Sequence, residues 1–261
     1  MKQFVYFIDE GSKEMKNLLG GKGANLSEMY NLGLPVPETF TVSTEACLKF
    51  YDDGKVLADE VKEQIWLNVK KLEEATGKVF GDMDNPLLLS VRSGARVSLP
   101  GMMDTVLNLG MSDVSAEAFA NKTGKPVFVY ELYRRFIEMF SDVVLGIHRH
   151  KFEAVVEALK EEKGYVDTNE FTLEDQLSSI EKFKAIVKDS KGMDFPQDPK
   201  EQLLLAIEAV FGSWNNERAI TYRNLQGIPH SYGTAVNVQL MVFGNVNDQS
   251  GTGVAFTRNP S

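Results

Sequence analysis

Apolar positions in this chain fall into three regimes. Over residues 1–110 they come in short runs, and "FVYFI" (4–8), "FTV" (40–42) and "LLLSV" (87–91) read as strands bounded by turn residues. Between them, 24–31 predicts a helix stopped by Gly33 and the "LPVP" that follows. A longer helix is predicted over 56–76. Leu57, Val61, Ile65, Val69 and Leu72 recur every three or four residues there, and Gly77 stands at the C-terminal cap. Its stripe reads as core packing.

Residues 111–220 carry helical periodicity almost throughout. Leu132, Phe136, Ile137, Phe140, Val143, Val144 and Ile147 line one face of a long helix. Leu173, Leu177, Ile180, Phe183 and Val187 line another, opened by Thr172 with Asp175 three residues on. A third begins at Asp198 as N-cap with Pro199 at the first helical position, after a linker-like "KGMDFPQDP" (191–199). Beyond "GIPH" the pattern returns to strands: 234–244 and 253–257 read as neighbours in a new sheet. Two strands alone make a marginal sheet, so further strands are expected past Ser261.

Composition narrows the class. At 43% hydrophobic and 25% charged the 261 residues are those of a globular protein. The single cysteine, Cys47, excludes an internal disulfide and fits a reducing compartment. No signal peptide and no membrane-length apolar run occurs, so a cytoplasmic protein without a membrane partner is expected. A net charge of −9 argues against nucleic acid. Any phosphate must be captured by a local basic cluster against that field.

Two glycine-punctuated stretches carry such clusters. "LLGGKGANLSEM" (18–29) places Lys22 between glycines at a helix start, where backbone N–H groups and the lysine charge attract anions. It is neither a P-loop, since Gly23 follows the lysine, nor a dinucleotide fingerprint, since Leu26 stands where a glycine is required. "LLLSVRSGARVSLPGMMDTVLNLG" (87–110) brings Arg92 to the predicted C-terminal end of a strand, then Arg96, a Pro100-Gly101 turn of the type II kind, two exposed methionines and Asp104. Arginine forks suit phosphate oxygens and methionines could cover a base; structural ion pairs and core packing explain the same residues equally well. "SGTGVAFTRNP" (250–260) offers Gly251–Gly253 and the Thr252 hydroxyl to an anion, although a flexible hairpin is the simpler reading. His148, His150 and His230 lack metal-ligand spacing, and the first two read as closing a helix where imidazolium suits the dipole. Arg134 and Arg135 read as a solvated helix face.

Together "LLGGKGANLSEM", "SVRSGARVSLPGMMDTVLNLG", "TAVNVQLMVFGN" and "SGTGVAFTRNPS" resemble, in order and at matching separations, the N-terminal nucleotide-binding domain of the pyruvate, phosphate dikinase family. Phosphoenolpyruvate synthases are similar in the first two blocks and less so in "GMMDTVLNLG" and "SGTGVAFTRNP". The resemblance implies an α+β, ATP-grasp-type fold, with a first lobe over 1–110, a helical insertion over 111–200 and an incomplete second lobe over 201–261. It implies that Lys22 and Arg92 bind and polarise the ATP phosphates, with Arg96 in the same loop. Gly101 and Met103 would lie over the nucleotide, and Thr252 and Gly253 would cover the phosphates from the other lobe. It also implies Mg²⁺ with acidic ligands beyond residue 261, and ATP and phosphate as substrates. A phosphohistidine domain and a pyruvate-binding barrel are expected in the same homodimeric parent chain, so that this stretch alone is inactive. The alternatives are the water-using phosphoenolpyruvate synthase branch and a non-catalytic helical docking or regulatory module.

Overall fold

The computed structural model describes residues 2–83, 85–245 and 249–256. One antiparallel five-stranded sheet organises them, in the order β1 (Val5–Phe7), β2 (Thr39–Val42), β5 (Thr234–Leu240), β3 (Leu89–Ala95) and β4 (Thr105–Leu109). Residues 234–240 therefore do not begin a new sheet; they fill the middle of the first one. Thr234 to Val238 are all buried, as suits a central strand covered on both faces, and local pattern carries no information about which strands flank it. Residues 253–256 are exposed and form no strand; Thr257 lies outside the described residues.

Helices begin and end where the chain supplies caps. In α2 (Thr44–Asp52) the Ser43 hydroxyl accepts from the Ala46 N–H, and α3 (Asp59–Thr76) ends at Gly77 in the left-handed region. Three helices follow: α4 (Asp113–Thr123), α5 (Pro126–Val143) and α6 (His150–Lys163). The Thr172–Asp175 capping box opens α7 (Leu173–Lys191), and Asp198 caps α8 (Pro199–Ser213) through the Lys200 N–H. Last comes α9 (Glu217–Gln226). No helix among the described residues is long and apolar enough to cross a membrane.

The helical stretch shares its core with the sheet. Phe136 and Phe140 of α5 meet Phe195 edge-on, and Val210 and Phe211 of α8 join the same cluster as Val91, Val236 and Val238. Three expectations are corrected here. Because α5 stops at Val143, Val144 and Ile147 lie past its end, and His150 opens α6 rather than closing a helix, with His148 stacked beside it. Arg134 is 3% exposed, its Nε donating to Gln176 Oε1 at 2.9 Å, because α7 covers that side of α5. Arg135 does face solvent.

Candidate functional site

Antiparallel register lays a polar row across the sheet. Tyr6 pairs with Thr41, Thr41 with Asn237, Asn237 with Arg92 and Arg92 with Thr105. The neighbouring row, Phe40, Val238, Val91 and Val106, is wholly buried and apolar. Arg92 thus sits mid-strand and not at a strand end, since β3 runs on to Ala95. Sequence alone misses this because a strand's length depends on its partners.

Over the polar row lies α1 (Lys16–Asn31), longer than predicted and broken at Gly20. Gly20 has φ 68° and ψ 176°, a conformation essentially confined to glycine, and a Cβ there would stand 1.6 Å from the Gly94 carbonyl oxygen. Gly23 rests on the Thr41–Asn237 hydrogen bond, where a Cβ would meet Thr41 Oγ1 at 2.8 Å and Asn237 Oδ1 at 3.0 Å. Two glycines of "GGKG" thus serve contact with the sheet. The helix restarts after Gly20, which leaves the N–H groups of its new first turn without carbonyls one turn back. Lys22 is in that turn.

Its ammonium donates to the Ser93 carbonyl at 2.7 Å, tying α1 to β3. Burial pushes the Lys22 pKa down, and the charge of nearby Arg92 pushes it further the same way. A cleft of about 530 Å³ opens here, walled by Lys16, Gly21, Lys22, Arg96, Gly101 and Met103 among others. All its wall residues come from 16–25 and 93–105. Among the described residues, Lys16, Lys22, Arg92 and Arg96 have no carboxylate within salt-bridge distance. In a chain of net charge −9, four cations without carboxylate partners at one cleft and beside it concentrate positive charge there.

The opposite wall is the loop after β3. The Met102 N–H donates to the Leu99 carbonyl at 3.2 Å with Gly101 at φ +71°, the geometry expected of the Pro100-Gly101 turn. Met102 and Met103 are half-buried and not exposed as expected, because the α8–α9 junction packs on them. Asn216 Nδ2 donates to the Met102 carbonyl at 3.2 Å, Ser213 Oγ accepts from the Asp104 N–H at 3.4 Å, and Arg218 is ion-paired with Asp104. Burial raises the Asp104 pKa against the pull of Arg218. Thr252 and Gly253 are exposed and outside the cleft wall, with Thr252 against Gly244.

A family model described as the pyruvate phosphate dikinase AMP/ATP-binding domain matches residues 16–79 and 54–261. The chain belongs to that family. It is 56% identical over 262 residues to a pyruvate, phosphate dikinase of Clostridium symbiosum and 52% identical over 265 residues to one of Rhizobium meliloti. Both comparisons cover 100% of this chain and 30% of the relative's length. A chloroplastic pyruvate, phosphate dikinase of Mesembryanthemum crystallinum is 52% identical over 252 residues, covering 97% of this chain and 26% of its own. The chain thus spans less than a third of these relatives.

Within this dikinase-family domain the cleft wall contains no carboxylate, and no cluster of three or more His, Cys, Asp or Glu suited to a metal occurs among the described residues. Those residues by themselves do not fit Mg²⁺. The sequence reading also missed the brace behind the cleft. Arg223 is fully buried over the Trp214 ring at 4.0 Å, and its Nε donates to His230 Nδ1 at 3.0 Å. Two residues on, Tyr232 underlies Arg96, with the guanidinium 4.7 Å from the ring centre. No motif flags this; only the adjacency of "SWNNERAITYR" and "GIPHSYG" hints at it.

Proposed function

We propose that this chain is the ATP-binding part of a cytoplasmic, homodimeric pyruvate, phosphate dikinase, and that the Lys22–Arg96 cleft receives the ATP phosphates. The observation that carries it is the set of three cations lining one glycine-bordered cleft, Lys16, Lys22 and Arg96, with Arg92 beside Lys22 and no carboxylate partner for any of them among the described residues. The identity to dikinases along the whole chain supports the reaction class.

Lys22 keeps one N–H on Ser93, which aims the remaining two at a bound oxygen. Arg92, projecting from the polar row beside it, and Arg96, across the cleft, supply planar forks for bidentate contact. First-turn N–H groups of the restarted α1 add the helix dipole. Gly101 lets the backbone turn close over the nucleotide, and the Met103 thioether packs adaptably against it. Thr252 and Gly253, exposed on the 249–256 segment and outside the cleft wall, would have to move to reach the phosphates. In an ATP-grasp arrangement 1–110 forms the first lobe, 111–200 the helical insertion and 201–261 the start of the second, with β5 crossing back into the first sheet.

The whole protein would convert ATP, phosphate and pyruvate to AMP, diphosphate and phosphoenolpyruvate through a phosphohistidine on another domain, with pyruvate bound on a barrel. This part holds ATP and steadies charge on the transferred phosphoryl group, the dominant contribution in such transfers. Mg²⁺ would neutralise phosphate charge with ligands from outside the described residues.

Calorimetric titration of the whole protein with ATP tests this. Lys22→Met and Arg92→Ala each remove charge-assisted hydrogen bonds of about 1.5–3 kcal/mol, so affinity falls roughly 10- to 150-fold. Arg96→Ala falls in the same range. Arg92→Lys also loses affinity, because an ammonium cannot reproduce the fork. Unchanged ATP affinity in all of these variants would overturn the assignment.

A further inference from the structure

We propose that Tyr232 is a positioning residue for the nucleotide cleft. Its ring holds the Arg96 guanidinium in place without occupying any of its N–H donors. This rests on the reading of the cleft as a phosphate site. Arg96 lines the cleft 4.7 Å from the Tyr232 ring centre, and its Nε is buried with no hydrogen-bond partner. A carboxylate would orient an arginine by occupying its donors and cancelling its charge. An aromatic face orients it through the ring quadrupole and does neither.

The ring is itself fixed from behind. The Tyr232 N–H donates to the Pro229 carbonyl at 3.3 Å, in a short 3-10 turn spanning His230–Tyr232. The His230 carbonyl accepts from Trp214 Nε1 at 3.0 Å, its Nδ1 accepts from Arg223, and its Nε2 lies 3.0 Å from Asn224 Oδ1. Gly233 then leaves the turn at φ +62°, packed on the Thr44 carbonyl and Cys47, before β5 begins. The same α8–α9 junction holds the Met102–Asp104 backbone on the other wall. One brace therefore sets the cleft on two sides, from residues more than a hundred positions after the glycine motifs.

Ordering a long side chain on binding costs affinity, and a side chain held beforehand avoids that cost. Tyr232→Leu should weaken ATP binding to the whole protein about 2- to 12-fold. Adenosine, which lacks phosphates, should bind as before. Tyr232→Phe keeps the ring face and should bind ATP like the parent. In an Arg96→Ala background, Tyr232→Leu should cost nothing more, because the two act as a unit. Progressively fluorinated phenylalanines at 232 preserve shape while draining the ring face, and should lower ATP affinity step by step. They keep the test decisive even if the leucine variant folds poorly. Parental affinity in Tyr232→Leu, an equal loss for adenosine, additivity with Arg96→Ala, or indifference to fluorination would each overturn the proposal. Should Arg96→Ala itself leave ATP binding unchanged, the phosphate reading of Arg96 fails first, a separate outcome that also removes this one.

Discussion

The three glycines around Lys22 should respond to alanine in opposite directions. At Gly20 the backbone lies in a glycine-only region, which costs about 1–3 kcal/mol for any other residue. The added Cβ would also stand 1.6 Å from the Gly94 carbonyl, so α1 must lift off β3 at an overpacking cost of about 1–3 kcal/mol. Together these predict a loss of about 2–6 kcal/mol for Gly20→Ala. Gly23→Ala keeps helical geometry but must displace the buried Thr41–Asn237 pair, for about 1–3 kcal/mol. Gly21 is helical, and its Cβ would meet nothing nearer than the Ala95 carbonyl at 3.5 Å. There alanine should stabilise by about 0.5–1 kcal/mol, since it gives up less chain entropy than glycine. Urea denaturation of the 261-residue chain, followed by circular dichroism, ranks the three. Gly20→Ala within 0.5 kcal/mol of the parent, or Gly21→Ala more damaging than Gly20→Ala, would refute the account of how α1 sits on the sheet.

Two further perturbations probe the frame around the site. Gln64 covers the edge of β1, its Oε1 accepting from the Phe4 and Val5 N–H groups at 2.7 and 3.1 Å. Gln64→Ala should cost about 1–3 kcal/mol and speed hydrogen exchange at both amides, while unchanged protection there would refute the role. Cys47 is buried behind β5 and its thiol pKa is pushed up by burial from 9.0 to about 12. It should resist alkylation at pH 8 in the folded chain and react once in urea. Because the folded pKa exceeds the unfolded one, Cys47 should contribute a fall in stability between pH 9 and pH 12 of up to about 1.4 kcal/mol per pH unit. Cys47→Ala should make the alkaline fall shallower by that amount, the raised pKa values of Tyr51 and Tyr133 supplying the rest.

The elements legible in the sequence are those whose cause is local. The α3 stripe with Gly77, the Thr172–Asp175 box and the Asp198-Pro199 start each act within a few residues, and each appears where expected except that α3 begins at Asp59, leaving Leu57 ahead of it. What the sequence hid depends on partners far along the chain. β5 enters the middle of the sheet between β2 and β3, and only that pairing puts Asn237 beside Arg92. Arg134 looked solvated because α5 shows no cue for the helix that covers it. For the site, Lys22, Arg96, Gly101 and Met103 come to one cleft, with Arg92 near enough to act on Lys22. Thr252 and Gly253 do not reach its wall, and no motif flagged the Tyr232 brace.

Gathering like charges without acidic partners works against folding, so the structure must impose the arrangement from elsewhere. The depressed Lys22 pKa is the mark of that imposition: burial and the Arg92 charge both disfavour the ammonium where it stands. An acidic neighbour would relieve the cost, and would also compete with any incoming anion. Instead the cations are fixed by contacts that carry no negative charge. A carbonyl holds Lys22, backbone pairing on both sides holds the Arg92 strand, and an aromatic face holds Arg96. Each is neutral, and each is anchored in the sheet or in the α8–α9 junction. The positive potential of the cleft therefore survives folding through neutral packing, supplied in part by β5 and the Tyr232 turn far from the glycine motifs.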